Sequence, residues 1–381
     1  MQHFETDRQD SVSFKKIVGS SAAEEWHIAV HCDSTRQNLA NVLEERWLTV
    51  MKAAGIPSES TVLRRVFCSD PTKQQPVFES FARNYPGAFS IIGQPPLDGV
   101  VVSMWSYHIH DPEIPPFRTG GGASYILKRG RFRHAWNTGL FDTDSDCPGQ
   151  QCRTIMNKLD DWLGENDLTL RDDVIRTWWF VRDIDVDYQA LVDARKNVFE
   201  NHGLTMDTHF IASTGIAGAH HAPSAKLSLD TYAIGGLVPG QVEFISAPDH
   251  LGPTHRYGVT FERATAVSYK DRKHIFISGT ASIDPTGEIV HPGDVVSQLN
   301  RTLENISALL ASANAEIHDL ASMIVYLRDP EDGPVIEEIL RQRFHNIPMV
   351  IVHAPVCRPG WLVEIEGIAC VPRENPDFPA F

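Results

Sequence analysis

One order of apolar and polar positions recurs three times along the 381 residues, at a spacing of roughly 115–125 residues. Each recurrence opens on alternating apolar positions that predict a β-hairpin, over residues 11–33, 123–141 and 263–283; Ile275 and Ile277 alternate in the last. A helical stripe follows, with apolar residues at i, i+3 and i+4 in every copy: Trp47, Val50 and Met51; Leu159, Trp162 and Leu163; Ile306, Leu309 and Leu310. From the last residue of each stripe, the aspartate closing the next strand (Asp70, Asp183, Asp329) comes after 19, 20 and 19 residues. A second helix is predicted over 75–84, 188–201 and 334–345. Two strands then finish each copy, over 88–92 with 99–107, 209–213 with 226–233, and 349–353 with 361–370.

The repeated unit is β-β-α-β-α-β-β, an α+β layer with two helices on one sheet face. Its bare face needs cover, which the other copies can supply. The expected units span 1–113 (the most degenerate), 119–235 and 255–372. Residues 111–118 and the Gly/Pro-rich 235–255 read as linkers, and 373–381 as a tail.

The composition, 42% hydrophobic and 22% charged, is that of a globular protein rather than a disordered one. With 34 Lys+Arg against 49 Asp+Glu the formal charge is −15, which opposes phosphate backbones and argues against nucleic acid as the main partner. No run approaches the roughly 20 apolar residues of a membrane helix, and the first residues lack the pattern of a signal peptide. The expectation is a cytoplasmic protein with no membrane partner. Six cysteines without a C-x-x-C pair indicate neither a disulfide framework nor a zinc site, and Cys147 and Cys152 read as inert. His220 and His221, or His108 and His110, lack a carboxylate or cysteine at ligand spacing, so no metal is expected. Gly120-Gly-Gly122 lacks the Lys-Ser/Thr of a phosphate loop.

In the third copy, Ile277-Ser-Gly-Thr-Ala-Ser-Ile283, the helix over 298–313, Val325-Tyr-Leu-Arg-Asp329 and Cys357-Arg-Pro-Gly-Trp-Leu-Val-Glu-Ile-Glu-Gly367 resemble the Rid (YjgF-like, endoribonuclease L-PSP-like) superfamily, and within it the C-terminal domain of chorismatases. The resemblance covers roughly residues 263–371. The second copy adds Ile175-Arg-Thr-Trp178, Asp193-Ala-Arg195 and Ala212-Ser-Thr-Gly-Ile-Ala-Gly218, while the first matches only in pattern. Rid proteins are homotrimers with clefts between subunits. The resemblance therefore implies three fused Rid-like units forming an intrachain pseudo-trimer, a monomer needing no further subunits.

Across the final strands, Glu364 falls opposite Ser228 and Ser103, so one cleft keeps an acid. The resemblance places Glu364 at the catalytic acid of chorismatases and at the water-positioning glutamate of Rid deaminases. Either chemistry needs a carboxyl that moves a proton. On the residues alone, Glu364 and Glu366 share one strand face and could simply line a solvated sheet. Arg358 and Arg328 are candidates for holding a substrate carboxylate, with a surface Arg–Asp pair the alternative for Arg328. Tyr326, on the strand face shared with Arg328, could bond a substrate oxygen. The resemblance puts Cys357 where product choice is tuned; with no base identifiable, a pocket wall rather than a nucleophile is expected. Ser278, Gly279, Thr280 and Ala281 form a slender strand end that lets a ligand approach the backbone. The carboxylate-binding arginine of Rid deaminases aligns with Met349, which counts against simple imine deamination. The expected function is a chorismatase-like enzyme, without cofactor, acting on chorismate or a related carboxylated enol ether. An imine or enamine deaminase and a non-catalytic binder of small acids are the alternatives.

Overall fold

The computed structural model describes the chain except residues 1–3, 7–9, 34–38, 98, 114–116 and 255–257. The first unit contains β1 (Phe4–Thr6), β2 (Asp10–Val18), β3 (Glu24–Cys32), α1 (Leu39–Ala53), β4 (Thr61–Cys68), α2 (Pro71–Asn84), β5 (Ala88–Gly93) and β6 (Val102–His110). The second contains β7 (Phe117–Gly121), β8 (Ser124–Arg129), β9 (Phe132–Phe141), α3 (Pro148–Glu165), β10 (Val174–Val181), α4 (Ile184–Asn201), β11 (Ala212–Ala217) and β12 (Leu227–Gly235). The third contains β13 (Val242–Ile245), β14 (Ala264–Ser268), β15 (Arg272–Ala281), α5 (Val295–Ser312), β16 (Leu320–Leu327), α6 (Gly333–Arg343), β17 (Met349–His353) and β18 (Val363–Pro372).

Each unit forms a six-stranded sheet in one order, β1-β2-β3-β6-β4-β5 in the first. Neighbours are antiparallel except the last pair, β4/β5, β10/β11 and β16/β17. The three-sheet α+β architecture read from the repeats is thus present, with one more strand per unit than expected. The stripes lie on the buried faces of α1, α3 and α5, with Trp162 half-buried. In the first copy the aspartate has a local role: Asp70 follows β4 and caps α2, its carboxylate accepting from the Lys73 N–H at 3.1 Å, with Pro71 at the first helical position.

Two segments differ from expectation. The stretch read as a linker, 235–255, supplies β13, which pairs with β14; with Glu243 and Phe244 exposed it shows no alternation of burial. The expected start of the third unit at 255 lies outside the described residues, as does part of the linker over 111–118. The expected tail is docked rather than free. The Phe381 N–H donates to Asp271 Oδ1 at 2.9 Å, and its buried ring packs on His134, Tyr269 and His274.

Opposite the helices, the sheets face one another. Trp105, Tyr107, Trp136, Trp178, Tyr232, Phe276 and Tyr326, drawn from all three units, belong to one buried cluster. Fully buried ion pairs tie each unit to the next: Arg65 to Asp230 (2.8 Å), Arg176 to Glu366 (2.7 Å) and Arg272 to Glu25 (2.5 Å). Burial alone would raise the Glu25 carboxyl, but His274 and Arg272 beside it hold it well below the usual range. Removing one partner would strand a charge in the core, so these pairs fix how the units meet. Among the described residues, no helix is long and apolar enough to cross a membrane.

Candidate active site

Between the second and third units lies a cleft that opens to solvent. The second unit contributes Tyr188 and Arg195 from α4 with Ser213 and Gly215 from β11. The third contributes Gly279 and Ala281 from β15, Glu364 from β18, and Cys357, Arg358 and Trp361 from the preceding loop. Val259, Phe261 and Arg263, leading into β14, close the remaining side.

Glu364 sits across from Ala281 on one neighbour and Tyr326 on the other. Gly279 falls in a bulge, where β15 and β18 shift register between Ile277 and Thr280. A Cβ there would stand 2.1 Å from Glu364 Oε1, so only glycine leaves room for the carboxyl. The Gly279 N–H donates to Thr214 Oγ1 of the second unit at 2.9 Å. Thr214 also donates to Glu366, which accepts from Arg176 and from the Trp178 indole at 2.8 Å. Both glutamates are buried, so neither lines a solvated face. Glu366 is tied into the interface and Glu364 turns to the cleft.

Burial is the main cause that pushes the Glu364 carboxyl up to about 8; the Glu366 charge adds to it, and Arg176 and Arg263 act against it. At neutral pH the group holds a proton it can deliver. Three guanidinium groups share its cleft. Arg195 is buried, its Nη1 lies 3.4 Å from Ser213 Oγ, and its Nε and Nη2 have no hydrogen-bond partner among the described residues. A buried guanidinium with open donors suits a carboxylate that supplies two oxygens. Arg263 donates to the Gly252 carbonyl, and burial draws it down to about 10. Arg358 donates to the Gly287 carbonyl at 3.0 Å and lies 4.8 Å from the Trp361 ring. The Cys357 thiol is pushed up to about 12, by burial first and then by the Glu364 charge. It stays a thiol and forms a wall, not a nucleophile.

The structure therefore gathers Glu364, Arg358, Cys357, Gly279 and Ala281 of the residues singled out in the sequence. It corrects three others. Arg328 lies outside the cleft, bonded to Asp185 at 3.0 and 2.9 Å and to the Val356 carbonyl. β16 ends at Leu327, so strand alternation no longer decides where Arg328 points. Tyr326 is fully buried and does not line the cleft, and the Thr280 hydroxyl, also buried, turns back to the Ser278 carbonyl. Met349 also changes meaning. It pairs with Met323 as Ser213 pairs with Thr177, which makes Ser213 the matching residue in this cleft, with Arg195 reaching over it. Arg195 and Tyr188 were missed because they belong to another unit, although one signal existed: Arg195 interrupts the buried stripe of Leu191, Val192, Val198 and Phe199 on α4.

Residues 263–371 match the endoribonuclease L-PSP family. A RutC family protein of Pyrococcus horikoshii is 39% identical over 127 residues, covering 32% of this chain and 91% of that protein. The chain belongs to the RutC/Rid family. Beyond this Rid unit, the chain is 32% identical over 220 residues to a 3-hydroxybenzoate synthase of Streptomyces hygroscopicus, across 51% of this chain and 63% of that relative, under two thirds of its length. A chorismatase crystal structure superposes with a TM-score of 0.63 at 19% identity, covering 93% of this chain and 99% of that one. The chain-wide fold of this Rid protein is therefore chorismatase-like.

Proposed function

We propose that this Rid protein is an enzyme that protonates the enol-ether carbon of chorismate or a related carboxylated enol ether. The observation that carries the reading is one raised carboxyl, Glu364, facing Arg195, Arg263 and Arg358 in a single cleft. The guanidinium groups bind the substrate carboxylates. The Glu364 O–H gives its proton to the terminal methylene carbon, leaving an oxocarbenium ion next to the ether oxygen and a carboxylate at Glu364. Water then adds to that cation and returns a proton to Glu364, and collapse of the hemiketal breaks the C–O bond to release pyruvate and the ring alcohol. A relative named for making 3-hydroxybenzoate and others named chorismatase support this substrate class.

The test follows chorismate consumption and its products by chromatography, for wild type and Glu364→Gln side by side, with 2-iminopropanoate as a second substrate. Chorismate turnover that disappears in the variant is the expected result. A folded wild type that leaves chorismate intact overturns the substrate, and turnover of the imine then assigns the site to deamination.

A further inference from the structure

The first and second units form a second cleft, built from the strands and helices that match those around Glu364. Strand register places Ser228 at the position of Glu364, and Gly139 at that of Gly279. On the facing helix, Ala82 stands where Arg195 does, counting from Asp70 and Asp183. The loop after β11 puts Ala222 at the position of Arg358. Neither the acid nor its arginines are present, and no lysine or arginine lines this cleft among the described residues.

What replaces them is a set of neutral polar groups and ring faces. Ser90 lines the cleft, is 2% exposed, and its hydroxyl has no hydrogen-bond partner among the described residues. The His220 Nδ1 accepts from the Ala222 N–H at 3.2 Å. Burial keeps this ring uncharged, drawing it down to about 3, so the proton sits on Nε2, about 3.9 Å from where a Cβ on Gly139 would stand. The His220 ring is 4.0 Å from the Phe141 ring, and Phe89 and His221 also line the space. A buried hydroxyl without a partner, an imidazole N–H and aromatic faces match a flat ring carrying one hydroxyl. A carboxylate finds no cation, and Glu79 at the lining opposes it.

We propose that this second cleft, which lacks a counterpart of Glu364, is a binding site for a small uncharged hydroxylated ring, separate from the chemistry at Glu364. Its existence does not depend on the substrate assigned to the first cleft.

The test uses 4-fluorophenol as probe and 4-fluorobenzoate as its charged counterpart, followed by ¹⁹F NMR titration of the whole chain. Saturable binding of the phenol is expected, together with a shift of the His220 ring proton resonance. Ser90→Ala should weaken it about fivefold and His220→Phe about tenfold, the size of one and of a somewhat stronger hydrogen bond. Benzoate binding should be unchanged by either variant. Circular dichroism checks folding, and Ser90→Ala alone decides the matter if His220→Phe does not fold. Phenol binding that is absent, or that neither folded variant weakens, overturns the proposal.

Discussion

The two clefts flanking the second unit share a scaffold and differ in chemistry. In both, a glycine sits at the bulge of the central hairpin strand: Gly279 beside Glu364 and Gly139 at the matching point. Around that shared geometry one cleft carries Glu364, Arg195, Arg358 and Tyr188, where the matching chain positions of the other are Ser228, Ala82, Ala222 and Gln75. The bulge thus belongs to the fold, while the acid is an addition. Burial keeps the Glu364 carboxyl protonated, and Arg176 and Arg263 nearby limit that rise without cancelling it. In the second cleft, Asp230 occupies the place of Glu366 and is bound to Arg65 and the Gly139 N–H.

The largest effect should come from removing what only one cleft has. Glu364→Gln keeps the shape and deletes the transferable proton, so kcat should fall by about 10³-fold, within the usual range for a general acid. A loss under tenfold would make the acid dispensable and the two clefts chemically alike. Arg195→Ala comes next. Losing a guanidinium that binds carboxylate should lower kcat/KM about 100-fold with little change in Tm, because its Nε and Nη2 bond nothing in the fold. Arg195→Lys should restore only part of it, since an ammonium lacks the two-pronged geometry. An unchanged kcat/KM in the alanine variant would move carboxylate binding to Arg263 and Arg358.

These residues also mark how far a single sequence could be read. The three stripes and their aspartates were legible because helix period and capping act within one unit, over a few residues. β13 was not, being a four-residue edge strand without alternating burial. Glu364, Gly279 and Arg358 were found because they lie in one copy. Arg195 and Tyr188 reach the cleft from α4 of the preceding copy, and no local periodicity says which helix covers which strand. Arg328 misled for a simpler reason: it stands one residue past the end of β16, where the alternation with Tyr326 stops.

The bulge offers an intermediate test. Gly279→Ala sets a Cβ 2.1 Å from Glu364 Oε1, so the carboxyl must move and turnover should drop about tenfold or more. Gly139→Ala meets only His220, at 3.9 Å, but its backbone is left-handed at φ +63°. It should lower Tm, at a cost of about 1 kcal/mol, and leave turnover alone. Equal activity losses in the two variants would mean that the clefts do not work separately.

A different readout of the same carboxyl is pH. An unfolded chain releases the Glu364 proton near about 4.3, whereas the folded protein holds it up to about 8. Between those values the native state binds the extra proton, so each rise in pH lowers stability, and the contribution present below the unfolded value is gone above about 8. Thermal unfolding at pH 5 and pH 9 should show Glu364→Gln gaining on wild type as pH rises. A constant gap between the two would place the Glu364 carboxyl in the ordinary range and remove the main difference between the clefts.

The smallest effect should come from Arg328, which lies outside the acid cleft. Its pair with Asp185 joins α4 of the second unit to the third at a partly exposed site, with Asp185 nearly half exposed, and an ion pair in that setting contributes about 1 kcal/mol or less. The bond to the Val356 carbonyl adds a local anchor just before Cys357. Arg328→Ala should therefore lower Tm by about 2 °C or less and change kcat/KM by less than about threefold, an energy smaller than one ordinary hydrogen bond. Activity lost to the extent seen for Arg195→Ala would bring Arg328 back among the substrate contacts. The carboxylate site would then extend beyond the lining of the cleft toward the α4 interface.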